Sequence, residues 1–367
     1  MLLEFNMTDF RIKTSESITK SGCRWITSFC AAVALLTFIG CPGCRGDTSQ
    51  DSSQREYWRQ WSQIELKGHF TIRGDVVADE DISGIACINE RYGLLGADED
   101  RNVYYFEISR QNKTIKILDD IELLDSGDEI DIEAIAAENN CYYITGSHGL
   151  SKKQGDIESN RFKFFRLKVN PENGMADERA KSKTDFLAIS SLTPILSKDP
   201  LLSRHFRQPL QQKGVNIEGL AVKDGRLFIG LRSPNLDGHM FVVELAADDL
   251  FTGVADIDYR LHKLRAGKGL GIREIVRAKD CFLIIAGNAG SEPSDEYPES
   301  QDYRKNRGFE LFCWDGRGPE THRIGRIPEA AGKAEAMMVL SENTEGIDVL
   351  ILFDGPKDGK PTVYHIY

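Results

Sequence analysis

Apolar and polar positions along this chain fall into one recurring pattern. A short segment reading polar, aliphatic, polar or acidic, small, aliphatic, small leads through a turn into an aliphatic-aromatic strand that ends in Gly or polar residues. The copies are DISGIA (81–86) with YGLLGADE (92–99), DIEAIA (131–136) with CYYITGSH (141–148), and NIEGLA (216–221) with RLFIGLRS (226–233). Two looser copies are GIREIV (271–276) with CFLIIAGN (281–288), and KAEAMM (333–338) with VLILFDGP (349–356). A third strand follows each, at 103–108, 162–169, 240–245, 309–314 and 362–367, and a fourth follows in four copies, at 114–123, 183–190, 258–264 and 321–327. Short alternating strands between turn signals, repeated at blade length, predict an all-β fold of the β-propeller type.

The fifth copy has no fourth strand before Tyr367, while an unassigned strand, WSQIELKGHFTI (61–72), stands ahead of the first copy. If it supplies the outer strand of the last blade the ring closes, which removes the exposed edges a sheet must otherwise protect. The expectation is one domain over 61–367, a propeller of five four-stranded blades. Six blades is the alternative, because the second and third copies start 85 residues apart against 50 to 62 elsewhere. The excess, 191–215, reads as a loop or short helix.

The first 60 residues follow another pattern. Arg11, Lys13, Lys20 and Arg24 precede an apolar run from Trp25 to Gly40, which predicts a signal peptide over 1–40 and export to the cell envelope. Its end, Phe38-Ile39-Gly40-Cys41, resembles a bacterial lipoprotein signal with Cys41 as the lipidation site; plain cleavage and secretion stays open. Residues 41–60 read as a polar tether. Membrane contact is expected only through such an anchor. Cys87, Cys141, Cys281 and Cys313 fall in or beside strands without CxxC spacing, which fits free thiols acting as small core residues. The net charge of −11 argues against nucleic acid as a partner. A monomer is expected.

The first strand of each blade lines a propeller's axis, so its polar residues converge there. Side chains alternate along a strand, which puts Ile82, Ile132, Ile217 and Ile272 between blades, on one side with the small residues Gly84, Ala134, Gly219 and Ala336. The other register reads Ser83, Glu133, Glu218, Arg273 and Glu335 around the ring. Two residues earlier it reads Asp81, Asp131, Asn216, Gly271 and Lys333. Carboxylates crowded on a narrow channel need a cation or Arg between them. Glu133, Glu218 and Glu335 therefore form a candidate site for a hard cation such as calcium, a candidate acid/base set, or an ion-pair network that stitches the blades. Asp98, His148, Arg232, Asn288 and Asp354 follow the second strands onto the same face. His148 is a candidate ligand contact; Arg232 either clamps an anionic group or pairs with Glu218. The three largest insertions (149–161, 191–215 and 289–308) open on this face too, which marks it as the binding side. The acidic third one reads as a lid or a disordered loop.

DIEAIA with YYITGSHG, IEGLAVKDGRLFIGLRSP, and GLGIREI with LIIAGNAG resemble a bacterial family of exported proteins catalogued as domain of unknown function 3616. The resemblance covers roughly 75–355. More distantly, such proteins resemble esterase-like phytase propellers. The resemblance implies a propeller with Glu133, Glu218, Arg232 and Arg273 at the matched polar positions, and no reaction. Ala134 stands where the family pattern has Gly. No GxSxG, Walker A or HExxH motif is present. Two functions stay open: an envelope propeller binding a small ligand, metal ion or protein on its loop-rich face, and a metal-assisted phosphate- or carboxylic-ester hydrolase. In the second, Glu133, Glu218 and Glu335 would hold the cation and Arg232 and Arg273 the anionic group.

Overall fold

The computed structural model describes residues 57–125, 129–151, 156–176, 180–254 and 256–367. Cys41, the expected signal segment and the expected tether up to residue 56 lie outside these. Among the described residues no helix is long and apolar enough to cross a membrane.

Five sheets follow one another along the chain, each built outward from its first strand. Blade 1 holds Ile82–Cys87, Tyr92–Ala97, Asn102–Ser109 and Thr114–Glu122; blade 2 holds Ile132–Glu138, Cys141–Gly146, Phe164–Lys168 and Leu187–Ser190. Blade 3 holds Asn216–Lys223, Arg226–Leu236, His239–Ala246 and Tyr259–Arg265; blade 4 holds Leu270–Arg277, Phe282–Asn288, Glu310–Trp314 and Thr321–Arg326. Blade 5 takes Lys333–Glu342, Ile347–Asp354 and Thr362–Ile366 from the C-terminal end, and its outer strand is Ile64–His69 from the N-terminal side. The chain is a five-bladed β-propeller, closed as the leftover strand predicts.

The closure goes one step further than the hydrophobic pattern shows. After Gly68, at φ +123°, the chain enters a second short strand, Thr71–Arg73, which pairs parallel to Thr114–Lys116 on the outside of blade 1. The stretch 64–73 therefore belongs to the last blade and the first. Residues 57–60, expected in the tether, form a 3-10 helix, and Trp58 and Trp61 pack into the core between blades 4 and 5. Two tryptophans are too much apolar surface to leave in water, so the fold starts at least this early.

Five apolar cores alternate with the five sheets, one in each gap between neighbouring blades. Ile82, Ile132, Ile217 and Ile272 are fully buried in four of them. The insertion 191–215 forms a short helix, Thr193–Lys198, and two 3-10 turns. Its Leu192, Ile195, Leu196, Leu202 and Phe206 extend the core between blades 2 and 3, which accounts for the long spacing without a sixth blade. The four described cysteines are free, with Cys281 and Cys313 buried.

In all five blades the pairing of the first strand with the second slips by one residue at the same place. The unmatched residues are Ser83, Glu133, Glu218, Arg273 and Glu335. Each is the extra residue of a β-bulge, which bends its strand and re-aims its side chain. Strict alternation, expected from sequence, breaks here: Ile132 packs toward blade 1 and Ala134 toward blade 3, although they are two residues apart. The expectation that the Ile and the small residue share one face is corrected accordingly. The small residues are still needed, since a Cβ on Gly84 would stand 2.9 Å from Ile135 Cγ1 of the next blade.

Candidate functional site

The bulges give the centre of the ring its chemistry. Glu218 is the hub: one carboxylate oxygen accepts from Arg232 Nη1 at 2.6 Å, and the other lies 2.7 Å from Arg273 Nε. Arg273 in turn pairs with Glu335 of blade 5. All four side chains are buried or nearly so, so the chain Arg232–Glu218–Arg273–Glu335 ties three blades together away from solvent. Burial pushes Arg273 down to about 10, against the pull of Glu218, which still leaves it charged at neutral pH. Ser83 donates its hydroxyl to Ile132 O, joining blades 1 and 2.

Above this floor opens a cavity of about 450 Å³. Glu133, Glu218, Arg273 and Glu335 line its base, Asp98, Arg232, Asn288 and Lys333 its sides, and Tyr303 and Arg307 of the third insertion form the remaining wall with Phe309, which follows that insertion. Lys333 pairs with Asp354. Arg232 is held by three contacts, since beyond Glu218 it donates to Asn288 O at 3.3 Å and Gly290 O at 3.2 Å. Of its two sequence readings, the structure shows the pairing with Glu218. The third insertion is held rather than loose: Asn288 and Arg304 exchange two hydrogen bonds of 3.0 Å, and Lys213 reaches Asp302 at 2.8 Å from the second insertion.

Two candidates fall elsewhere. Asp131, at φ +58°, pairs with buried Arg161 between blade 2 and the first insertion, not with Glu133 at the axis. The bulge at Glu133 is the reason, because it separates neighbours that plain alternation would hold together. His148 is fully buried; its Nδ1 donates to Gly146 O and its Nε2 accepts from Leu192 N–H, both at 3.0 Å. It anchors the start of the short helix of the second insertion and reaches no cavity. The three Glu carboxylates do not fit a cation, because Arg273 stands between two of them. Among the described residues no group of three or more His, Cys, Asp or Glu is placed to hold a metal.

Glu274 is the residue the sequence reading missed. It occupies the position held by Gly84, Ala134, Gly219 and Ala336 in the other blades, and it is fully buried. One oxygen accepts from Ile275 N–H at 2.8 Å and from Leu220 N–H of blade 3 at 3.2 Å. Burial pushes its carboxyl well above the usual range, with Glu218 adding to the effect. A lone charged residue at a position otherwise occupied by Gly or Ala is the signal that could have found it.

His148 gives a pH dependence. Burial pushes it down to about 4, from an ordinary value near 6.5. Between those values the unfolded chain binds a proton that the folded chain refuses, so stability falls as pH drops from about 6.5 to about 4, by up to roughly 3 kcal/mol. His148→Asn, which tolerates the φ of +53° at this position, removes the group. The stability gap between wild type and variant is expected to shrink between pH 7.5 and 4.5 in denaturant melts. A gap that stays constant contradicts the assignment.

The chain is similar, at low identity, to solved structures of proteins with varied names. It is similar to an exo-β-1,3-galactanase from Phanerochaete chrysosporium at 11% identity, over 83% of this chain and 64% of that one, with a TM-score of 0.40. It is similar to a virginiamycin B lyase from Staphylococcus aureus at 10% identity, over 83% and 99%, with a TM-score of 0.35. A third is the extracellular domains of Drosophila semaphorin 1b, at 11% identity over 80% and 52%, with a TM-score of 0.33. No curated protein matches by sequence. A family model does match, over residues 81–170 and 163–365, which is most of the propeller, and on that ground the chain belongs to the family described as protein of unknown function (DUF3616).

Proposed function

We propose that this propeller is a binding protein whose axial cavity takes a small, uncharged, hydrogen-bonding ligand. One observation carries the reading: the same bulge in all five blades turns one side chain per blade toward the centre, and four of those five line a single cavity. Five carboxylates and four cations line it in all, so its charges nearly cancel. Arg232 and Arg273 are committed to Glu218, and Arg273 to Glu335 as well. Such a site offers oriented lone pairs and N–H groups without a strong net field, beside the apolar faces of Phe309 and Tyr303. That combination favours a neutral ligand over an anionic ester. The hydrolase alternative needs guanidiniums free for an anion and carboxylates free for a cation, and it draws less support from this arrangement. Export to the envelope, through a signal peptide and a lipid on Cys41, is proposed on the sequence pattern alone.

Thermal unfolding of the full chain against millimolar sugars, phosphate monoesters and divalent ions tests the reading. A ligand that binds only the folded state at ten times its Kd adds ~1.4 kcal/mol, or roughly 2–4 °C in a domain of this kind. The expected result is a rise with at least one neutral sugar, lost in Phe309→Ala. A response confined to calcium together with phosphate esters would favour the hydrolase.

A further inference from the structure

Two of the four described cysteines stand together. Cys313, in the third strand of blade 4, lies opposite Leu283 of the second strand, and Cys281 comes two residues before Leu283. Residues two apart along a strand share a face, so the two thiols are diagonal neighbours on one face of the blade. Their sulfurs are 3.3 Å apart. Cys281 is 1% exposed and Cys313 0%, both in the core between blades 4 and 5 that also takes Trp58 and Trp61. Cys87 packs on the core between blades 5 and 1 and Cys141 on the core between blades 2 and 3. Neither is beside the pair.

As two thiols the pair contributes little, because S–H is a weak donor and sulfur a weak acceptor. The placement is close to that of a cross-link. Disulfide sulfurs are about 2 Å apart, so closure asks for a relative shift of roughly 1 Å. Burial pushes the Cys313 thiol well up, with Cys281 beside it adding to the effect. The folded blade therefore holds Cys313 protonated and out of reach of an oxidant, and only a thiolate attacks a disulfide.

From this pairing we infer that Cys281 and Cys313 are a disulfide site, closed by an external disulfide while blade 4 folds. One cysteine thiolate attacks the external disulfide and displaces one external thiolate, leaving a mixed disulfide. The second cysteine thiolate then attacks the protein sulfur of that bond and displaces the other. The two cysteines lose two protons and two electrons, and the external disulfide becomes two thiols. The ring so closed runs from 281 to 313 and contains the whole third insertion, 289–308, whose Tyr303 and Arg307 line the axial cavity. The link ties the two strands that carry this insertion at their far ends, and it restricts the unfolded chain. It needs an oxidising compartment, which the proposed export supplies, and it does not rest on the ligand reading.

The test refolds the reduced, unfolded full chain in two arms, one in mixed oxidised and reduced glutathione and one in dithiothreitol. Remaining thiols are alkylated, and mass spectrometry follows the tryptic peptides 280–304 and 308–317, each of which holds one of the two cysteines. In glutathione the two peptides are expected as one linked species, with Cys87 and Cys141 alkylated. The linked protein is expected to melt on the order of 5 °C above the dithiothreitol arm. Both peptides alkylated in the glutathione arm, or either joined to a different cysteine, overturns the disulfide site. Linked and reduced proteins that melt together overturn its hold on the blade.

Discussion

Glu218→Ala is expected to destabilise the propeller by about 3–5 kcal/mol, because it strands buried guanidinium charge. Glu218 is the shared partner of Arg232, at 2.6 Å, and Arg273, at 2.7 Å, with side-chain exposures of 12% and 4%. Removing its carboxylate breaks two charged contacts and leaves both guanidiniums inside. The midpoint of thermal unfolding is expected to fall on the order of 10 °C. Ser83→Ala is the comparison, since it sits at the same bulge in blade 1 and loses only a neutral hydrogen bond to Ile132 O, worth about 1 kcal/mol. A Glu218→Ala midpoint within 2 °C of wild type, or no lower than that of Ser83→Ala, contradicts the hub role.

The second large effect concerns closure. Deleting residues 1–73 removes Ile64–His69, the outer strand of blade 5, and Thr71–Arg73, the outermost strand of blade 1. It also removes Trp58 and Trp61 from the core between blades 4 and 5. Thr362–Ile366 then becomes an exposed edge, and such an edge templates pairing with other chains. The truncated protein is expected to aggregate on expression and to lose its sharp unfolding transition. Deleting 1–56 leaves every described element in place and is expected to keep the wild-type melt. Comparing soluble yield and melting of the two truncations decides the matter. If they behave alike, the strap 64–73 is not what closes the ring.

The blades were legible because period-two alternation between turns is a strong signal, and because the leftover strand at the N-terminal side matched the gap at the other end. The ring residues were legible as well, since Ser83, Glu133, Glu218, Arg273 and Glu335 hold equivalent places in the five copies. What escaped was the bulge. It left a trace in the spacing, because Ile82 and Ile85, Ile132 and Ile135, Ile217 and Leu220, Ile272 and Ile275, and Ala334 and Met337 each enter the same core three residues apart. An unbroken strand cannot put residues i and i+3 on one face, so that spacing repeated in all five copies encodes an extra residue between them. Asp131 and His148 were misplaced for a related reason. Both have positive φ, at +58° and +53°, and a strand pattern does not reveal where the backbone leaves extended geometry. Leu192, which His148 holds, and Arg161, which Asp131 holds, lie in insertions without repeat equivalents, so no internal comparison pointed to them.

A ligand held in the axial cavity is weakened by substitutions on that cavity's wall and not by substitutions at the opposite end of the blades. The most direct measurement is titration calorimetry of the tightest-binding saccharide with wild type, Phe309→Ala at the cavity wall, and Arg317→Ala beside a cavity formed with the turns Asp224 and Asp280. Those turns follow the first strands, at the end of the blades away from the bulges. The expected result is at least a ten-fold loss of affinity in Phe309→Ala and wild-type affinity in Arg317→Ala. Equal binding by all three proteins, or a loss confined to Arg317→Ala, would contradict it.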